Sequence, residues 1–134
     1  VMNSLTHNPP LGHITTFGGH PLACAAGKAS LELLLEEDWI ETAEEKGKYL
    51  QTAIENHPLV KEVRRAGLMF AIELDSPERV QKVVEYCLKN RLLTFWFLSC
   101  PESFRLSPPL CITKEELDIA INIITESFDH ALHV

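Results

Sequence analysis

Two short stretches carry side chains able to hold anions. The first is Thr15-Thr16-Phe17-Gly18-Gly19-His20-Pro21. Two hydroxyls and two glycines stand just ahead of a helix that Pro21 opens, because proline fits the first helical position. Gly18 and Gly19 allow a sharp turn that exposes backbone N–H groups. The helix adds free N–H groups and the positive end of its dipole. That combination suits a phosphate or a carboxylate. The same residues fit an ordinary turn with Thr16 capping the helix, and residue types alone leave both readings open. The second stretch is Ser103-Phe104-Arg105-Leu106-Ser107-Pro108-Pro109-Leu110. Arg105 has apolar neighbours, and the two prolines fix the backbone after it. A guanidinium held on a rigid strand end can grip a carboxylate through two parallel hydrogen bonds. It can equally pair with an acid or extend into solvent.

Other polar residues are assigned no chemistry. Arg64 and Arg65 read as solvated or ion-paired, and Glu73 as facing water or pairing with an arginine. Trp96 and Phe97 read as core; Asp38 and Thr113 read as helix caps. The six histidines show no i, i+4 metal spacing on a shared helix. The four cysteines form no C-x-x-C pair, and most lie in apolar patterns. They are expected to be buried, reduced thiols of a cytoplasmic protein. The net charge of −7 argues against a nucleic-acid partner, which needs a basic face. No apolar run approaches the roughly 20 residues that span a bilayer. No basic segment followed by an apolar core opens the sequence, so no signal peptide is expected.

The elements that must position these residues follow from periodicity. Residues 1–14, with Pro9, Pro10 and Gly12, read as irregular. Residues 21–37 read as a helix, narrow in its alanine-rich first half and broadly apolar in its leucine-rich second half. A helix apolar on most sides is buried or bridges two bodies. Asp38-Trp39-Ile40-Glu41 resembles a capping box and starts a second helix to about Asn56. Ile40, Ala43, Gly47, Leu50 and Ile54 mark its buried face. Residues 60–65 and 68–74 read as strands with period two, and Gly67 as a bulge or kink. Ser76 and Pro77 start a third helix burying Val80, Val83, Val84, Cys87 and Leu88. Asn90 is expected to close it in a left-handed conformation. Residues 92–98 read as a buried strand and 104–106 as a shorter one. Thr113-Lys114-Glu115-Glu116 is a second capping box, before a last helix burying Leu117, Ala120, Ile121, Ile124 and Phe128. The order gives an α/β (α+β type) two-layer sandwich, a mainly antiparallel small sheet with helices largely on one face.

The string Leu11-Gly12-His13-Ile14-Thr15-Thr16-Phe17-Gly18-Gly19-His20-Pro21-Leu22 resembles the class-III (ω-amino acid) aminotransferases. These are pyridoxal-phosphate enzymes of fold type I, among them the acetylornithine and ornithine aminotransferases. Their pattern His-x-(Ser/Thr)-Thr-(Tyr/Phe)-Gly-Gly-(Asn/His)-Pro-Leu is highly specific. The resemblance implies that Thr16 holds the cofactor phosphate across a dimer interface, with Thr15 a weaker candidate. Val63-Arg64-Arg65-Ala66-Gly67-Leu68-Met69 is similar to the family's Val-Arg-x-x-Gly-Leu-Met pattern. Arg105-Leu106-Ser107-Pro108-Pro109-Leu110 looks like its Arg-x-x-Pro-Pro-Leu motif, which implies that Arg105 binds the α-carboxylate of the substrate.

The resemblance divides the chain into three. Residues 1–20 would be the cofactor-phosphate segment of the large domain, residues 21–37 the long connector helix, and residues 38–134 the small C-terminal domain. The implied partners are an amino acid donor and a 2-oxo acid, with neither nucleic acid nor membrane, in a homodimer. The family's Schiff-base lysine precedes the Thr-Phe-Gly-Gly segment, whereas no lysine precedes Lys28 in this sequence. The expectation is a C-terminal part that is inactive alone, with residues 1–20 poorly packed or held by a neighbouring chain. Two other readings stay open: a related pyridoxal-phosphate aminomutase or decarboxylase, and a non-catalytic α/β ligand-binding domain.

Overall fold

A computed structural model describes residues 15–133; the expectations for residues 1–14 lie outside them. The chain forms two units, Val1–Glu37 and Asp38–Val134. In the first unit a turn over residues 16–19 leads into helix α1, Pro21–Glu36. Pro21 occupies the first turn as expected. The helix ends where Glu37 turns extended, with its N–H donating to the Leu33 carbonyl at 3.1 Å. Lys28 and Glu32 pair across one turn at 3.5 Å, with both side chains in solvent.

The second unit is a four-stranded antiparallel sheet carrying three helices. Helix α2 spans Trp39–Ile54, followed by strands β1 (Glu62–Ala66) and β2 (Met69–Glu73). Helix α3 (Pro77–Lys89), strands β3 (Phe95–Trp96) and β4 (Ser103–Leu106), and helix α4 (Lys114–Leu132) complete it. The strand order is β1-β2-β4-β3, and every neighbouring pair is antiparallel. Helix α4 packs against both α2 and α3, while α2 meets β1 and α3 meets β3 and β4.

Period-two alternation sets the two faces of the sheet. Phe70, Ile72, Phe104 and Leu106 point into the core with Leu50, Ile54, Val80, Val83, Leu117, Ile124 and Phe128. Phe104 and Phe128 meet edge-on with ring centroids 6.1 Å apart, a favoured aromatic geometry. Each such fully buried side chain contributes roughly 2 kcal/mol of apolar burial. The alternate residues Met69, Ala71 and Arg105 lie on the opposite face, where Met69 is 67 % exposed.

The helix starts expected at Ser76 and Thr113 are present as capped ends. Ser76 Oγ accepts from the Arg79 N–H, and Thr113 and Glu116 form a complete capping box. Several expectations are corrected. Asp38 precedes α2 but makes no side-chain cap; with ψ near 20° it already turns towards the helix, and the Thr42 hydroxyl donates to its carbonyl instead. Asn90 has φ −94°, and the left-handed residue is Arg91 at φ 65°. The Asn90 amide instead donates to the Tyr86 carbonyl, so its side chain satisfies the helix end. Gly67 is neither bulge nor kink. Ala66 pairs with Met69, so Gly67 and Leu68 form a two-residue hairpin turn, with Gly67 at φ +56°. Tight hairpins favour a positive φ there. Ile40 and Leu88 are exposed rather than buried, and Ala120 and Ile121 only half-buried.

The buried strand expected over residues 92–98 is only Phe95–Trp96. Among the described residues it is an edge strand paired on one side alone, and Leu93 and Leu98 are 81 % and 93 % exposed. Trp96 is likewise exposed rather than core. Of the cysteines only Cys87 is buried; Cys24 and Cys111 are exposed, Cys100 is half-buried, and all four are free thiols. Burial pushes the Cys87 thiol pKa up, which keeps it neutral and unreactive.

Candidate functional site

The candidate residues fall in both units. Thr15 and Thr16 share the turn before α1 and are exposed. The turn is closed by the His20 N–H donating to the Phe17 carbonyl at 3.1 Å. Gly18 lies so close to Thr15 that an added Cβ would sit 1.9 Å from its Oγ1. Gly19 has φ +77°, a conformation that favours glycine. Backbone angle thus calls for glycine at Gly19, whereas at Gly18 the nearest atom is an exposed hydroxyl that can turn away. The capping role open to Thr16 is not the one observed: the N-cap residue is His20, and its side chain makes no cap. Among the described residues no side chain caps the first turn of α1, and Thr15 and Thr16 stand exposed just ahead of it in the chain. A phosphate fits that donor set.

Arg105 lies in the middle of β4. Its backbone is held between Ala71 of β2 and Phe95 of β3. The side chain is exposed, and its guanidinium carbon stands 5.9 Å from the centroid of the Phe95 ring. That distance is within cation–π range. Among the described residues no carboxylate pairs with Arg105.

The arginines of β1 differ. Arg64 pairs with Glu62 and, at 2.7 Å, with Glu73, and also donates to Ser103 Oγ at 3.3 Å. The bonds to Glu73 and then Glu62 hold its pKa above the ordinary arginine value. Arg65 grips both oxygens of Glu44 at 2.7 and 2.8 Å, and its Nε donates to Gln51 at 2.6 Å. Glu73 ties β1 to its neighbour in the sheet, and Glu44 and Gln51 tie it to α2. Both arginines are structural, as their surroundings in the sequence suggested.

Sequence reasoning missed two features beside Arg105. One is Phe95, whose place opposite Arg105 depends on a strand register that no local motif reveals. The other is Thr94, buried in what reads locally as one apolar run. A third network joins Lys114, Asp118 and Tyr49 at the surface, where Lys114 donates to Asp118 at 2.9 Å. That bond, then one from Tyr49, holds the Asp118 carboxyl below the usual carboxylate range. No grouping of His, Cys, Asp and Glu among the described residues could hold a metal ion, and no helix there is long and apolar enough to cross a membrane.

Comparison with known proteins places this arrangement in a family. The class-III aminotransferase family model matches residues 1–128. The chain is 42 % identical over 121 residues to an ornithine aminotransferase of Halalkalibacterium halodurans, covering 86 % of this chain and 28 % of that protein. It is 37 % identical over 121 residues to an acetylornithine aminotransferase of Caldanaerobacter subterraneus, covering 87 % of this chain and 30 % of the relative. The crystal structure of an ornithine aminotransferase from Toxoplasma gondii superposes with a TM-score of 0.81 at 33 % identity, over 99 % of this chain and 32 % of that one. The chain therefore spans about three tenths of the length of the curated relatives it matches. With the hydroxyl–glycine turn, the strand-borne arginine and a match over nearly its whole length, this chain belongs to the class-III aminotransferase family.

Proposed function

We propose that this chain is the C-terminal part of an enzyme that moves an amino group from an ornithine- or acetylornithine-like donor to a 2-oxo acid. Pyridoxal phosphate, the family's cofactor, supplies the electron sink for that exchange when bound. Thr16, with Thr15 beside it, would hold the cofactor phosphate, assisted by the open N–H groups of α1. Arg105 would take the substrate α-carboxylate. Residues 1–20 would belong to the large domain and to a homodimer interface, residues 21–37 to the connector and residues 38–134 to the small domain, in a cytoplasmic enzyme.

The observation that carries this reading is the contrast among the three arginines of the sheet. Arg64 and Arg65 are engaged by acids, while Arg105 stays exposed, held by backbone on both sides and without an acidic partner among the described residues. A cation kept rigid and unneutralised can meet a carboxylate from solution.

The test is a transamination assay with ornithine or acetylornithine and a panel of 2-oxo acids, on an enzyme carrying this chain as its C-terminal part. Arg105→Gln is expected to raise KM for the carboxylate substrates by about 100-fold, the equivalent of losing charge-assisted hydrogen bonds of roughly 1.5–3 kcal/mol. Thr16→Val is expected to weaken cofactor retention with a smaller effect on KM. The 134 residues alone are expected to turn over no substrate. An unchanged KM in Arg105→Gln would remove the proposed carboxylate role.

A further inference from the structure

Behind β3 and β4 lies a cavity of about 360 Å³. Leu50 of α2 and Leu117 and Ile124 of α4 form its buried floor. Thr94 lines it too, only 5 % exposed, and its Oγ1 is buried with no hydrogen-bond partner among the described residues. Register explains its direction. Phe95 opposes Arg105 and Trp96 opposes Phe104. Alternation along the strand then puts Thr94 on the face of the core residues Phe104 and Leu106. Arg105 borders the cavity at its edge, but its guanidinium stands over Phe95 on the other face.

A buried hydroxyl without a partner is unfavourable, and buried polar groups in folded proteins are nearly always satisfied. The apolar floor of Leu50, Leu117 and Ile124 gives this one nothing to bond. We propose that the cavity is a binding site for a small uncharged aliphatic molecule bearing one hydrogen-bonding group, such as a short alcohol or primary amide, with that group on the Thr94 hydroxyl. The volume sits at the small end of ligand pockets and holds about ten water-sized groups. Charged molecules do not suit its floor, which offers no counter-charge: Arg105 borders the cavity but holds its guanidinium over Phe95 on the other face, and one hydroxyl does not offset the desolvation of an ion. The site is therefore distinct in chemistry from the carboxylate grip proposed for Arg105, and it does not depend on it.

The test is a titration of the 134-residue chain with isobutyramide, read by methyl NMR. Saturable shifts are expected on Leu50, Leu117 and Ile124, with a millimolar midpoint. Thr94→Val keeps the shape and removes the hydroxyl; it should weaken isobutyramide about fivefold or more, while xenon, which needs no hydrogen bond, still binds. Ala120→Leu should fill the cavity from α4 and abolish both, so the outcome is readable even if Thr94→Val fails to fold. Sodium butyrate should give no saturable shift at these residues. The proposal is overturned by any of four results: no saturable shift with isobutyramide, equal affinity in Thr94→Val, unchanged binding in Ala120→Leu, or butyrate binding as tightly as the amide.

Discussion

The two edges of the sheet are built differently. At the β1–β2 edge α2 lies hard against the hairpin: a Cβ added at Gly47 would stand 2.1 Å from the Gly67 carbonyl oxygen. Arg65 then clamps Glu44 and Gln51 across the same contact. At the β3–β4 edge the outer strand is two residues long, its leucine neighbours lie in solvent, and a cavity with an unpartnered hydroxyl sits beneath it. Ionic partners are abundant at the first edge, and Arg105 has none among the described residues at the second. Close packing and satisfied charges give rigidity, whereas an unneutralised cation and open space are what a ligand requires. The first edge is a frame, and the second is where binding can occur.

The sharpest way to break this contrast is to lever α2 off the hairpin. Gly47→Ala inserts a methyl group against backbone, which cannot swing away as a side chain could. A loss of about 1–3 kcal/mol is expected from overpacking, read as a lower urea midpoint with an unchanged slope. Gly27→Ala, in α1 with nothing within 4 Å of the added Cβ, serves as the control. It should be neutral or slightly stabilising, since alanine is the better helix former. Equal losses at the two glycines would show that the close approach is not what holds the hairpin.

A smaller effect separates the arginines. Arg65→Ala removes the fork on Glu44 and the bond to Gln51, together with the packing of a largely buried stem. It should lower the urea midpoint, though by less than Gly47→Ala. Arg105→Ala should leave stability within about 0.5 kcal/mol of the parent, as surface substitutions generally do. The reverse order of effects would make Arg105 a structural residue and Arg65 the free one.

How much of this was legible beforehand depends on the range of the interaction. The helices at Ser76 and Thr113 announce themselves because capping joins residues three apart. The core positions of β2 and β4 follow from local alternation. The hydroxyl–glycine turn and the arginine segment were readable as candidates through their match to a known pattern, not through physics alone. What escaped was set by distant partners. Residues 92–98 look like a buried strand because they are apolar, yet burial needs a neighbour on each side, and the described residues pair β3 on one side only. Gly67 looks like a break in a strand because its turn is defined by the Ala66–Met69 pairing. Gly47 is legible as part of the buried face of α2, but the backbone it meets there, the Gly67 carbonyl, is not.

The smallest effect tests the frame through its charge. The Arg65 guanidinium holds the Glu44 carboxyl below its ordinary value. A carboxylate with a folded pKa below its unfolded one binds fewer protons when folded, so its stabilising contribution is present above the unfolded pKa. It is lost as pH falls through the folded value. The parent should therefore lose part of its stability on acidification below about pH 4.3, the ordinary glutamate value. Glu44→Gln should be slightly less stable at neutral pH and converge with the parent in acid. Arg65→Ala should narrow its gap to the parent in acid without closing it, because the bond to Gln51 and the packing of the stem do not depend on Glu44 protonation. Because Glu44 is exposed, added salt should shrink the neutral-pH difference as well. Curves for parent and Glu44→Gln that run parallel from neutral to acid pH would show that the fork contributes geometry to the α2–β1 contact but no pH-dependent stability.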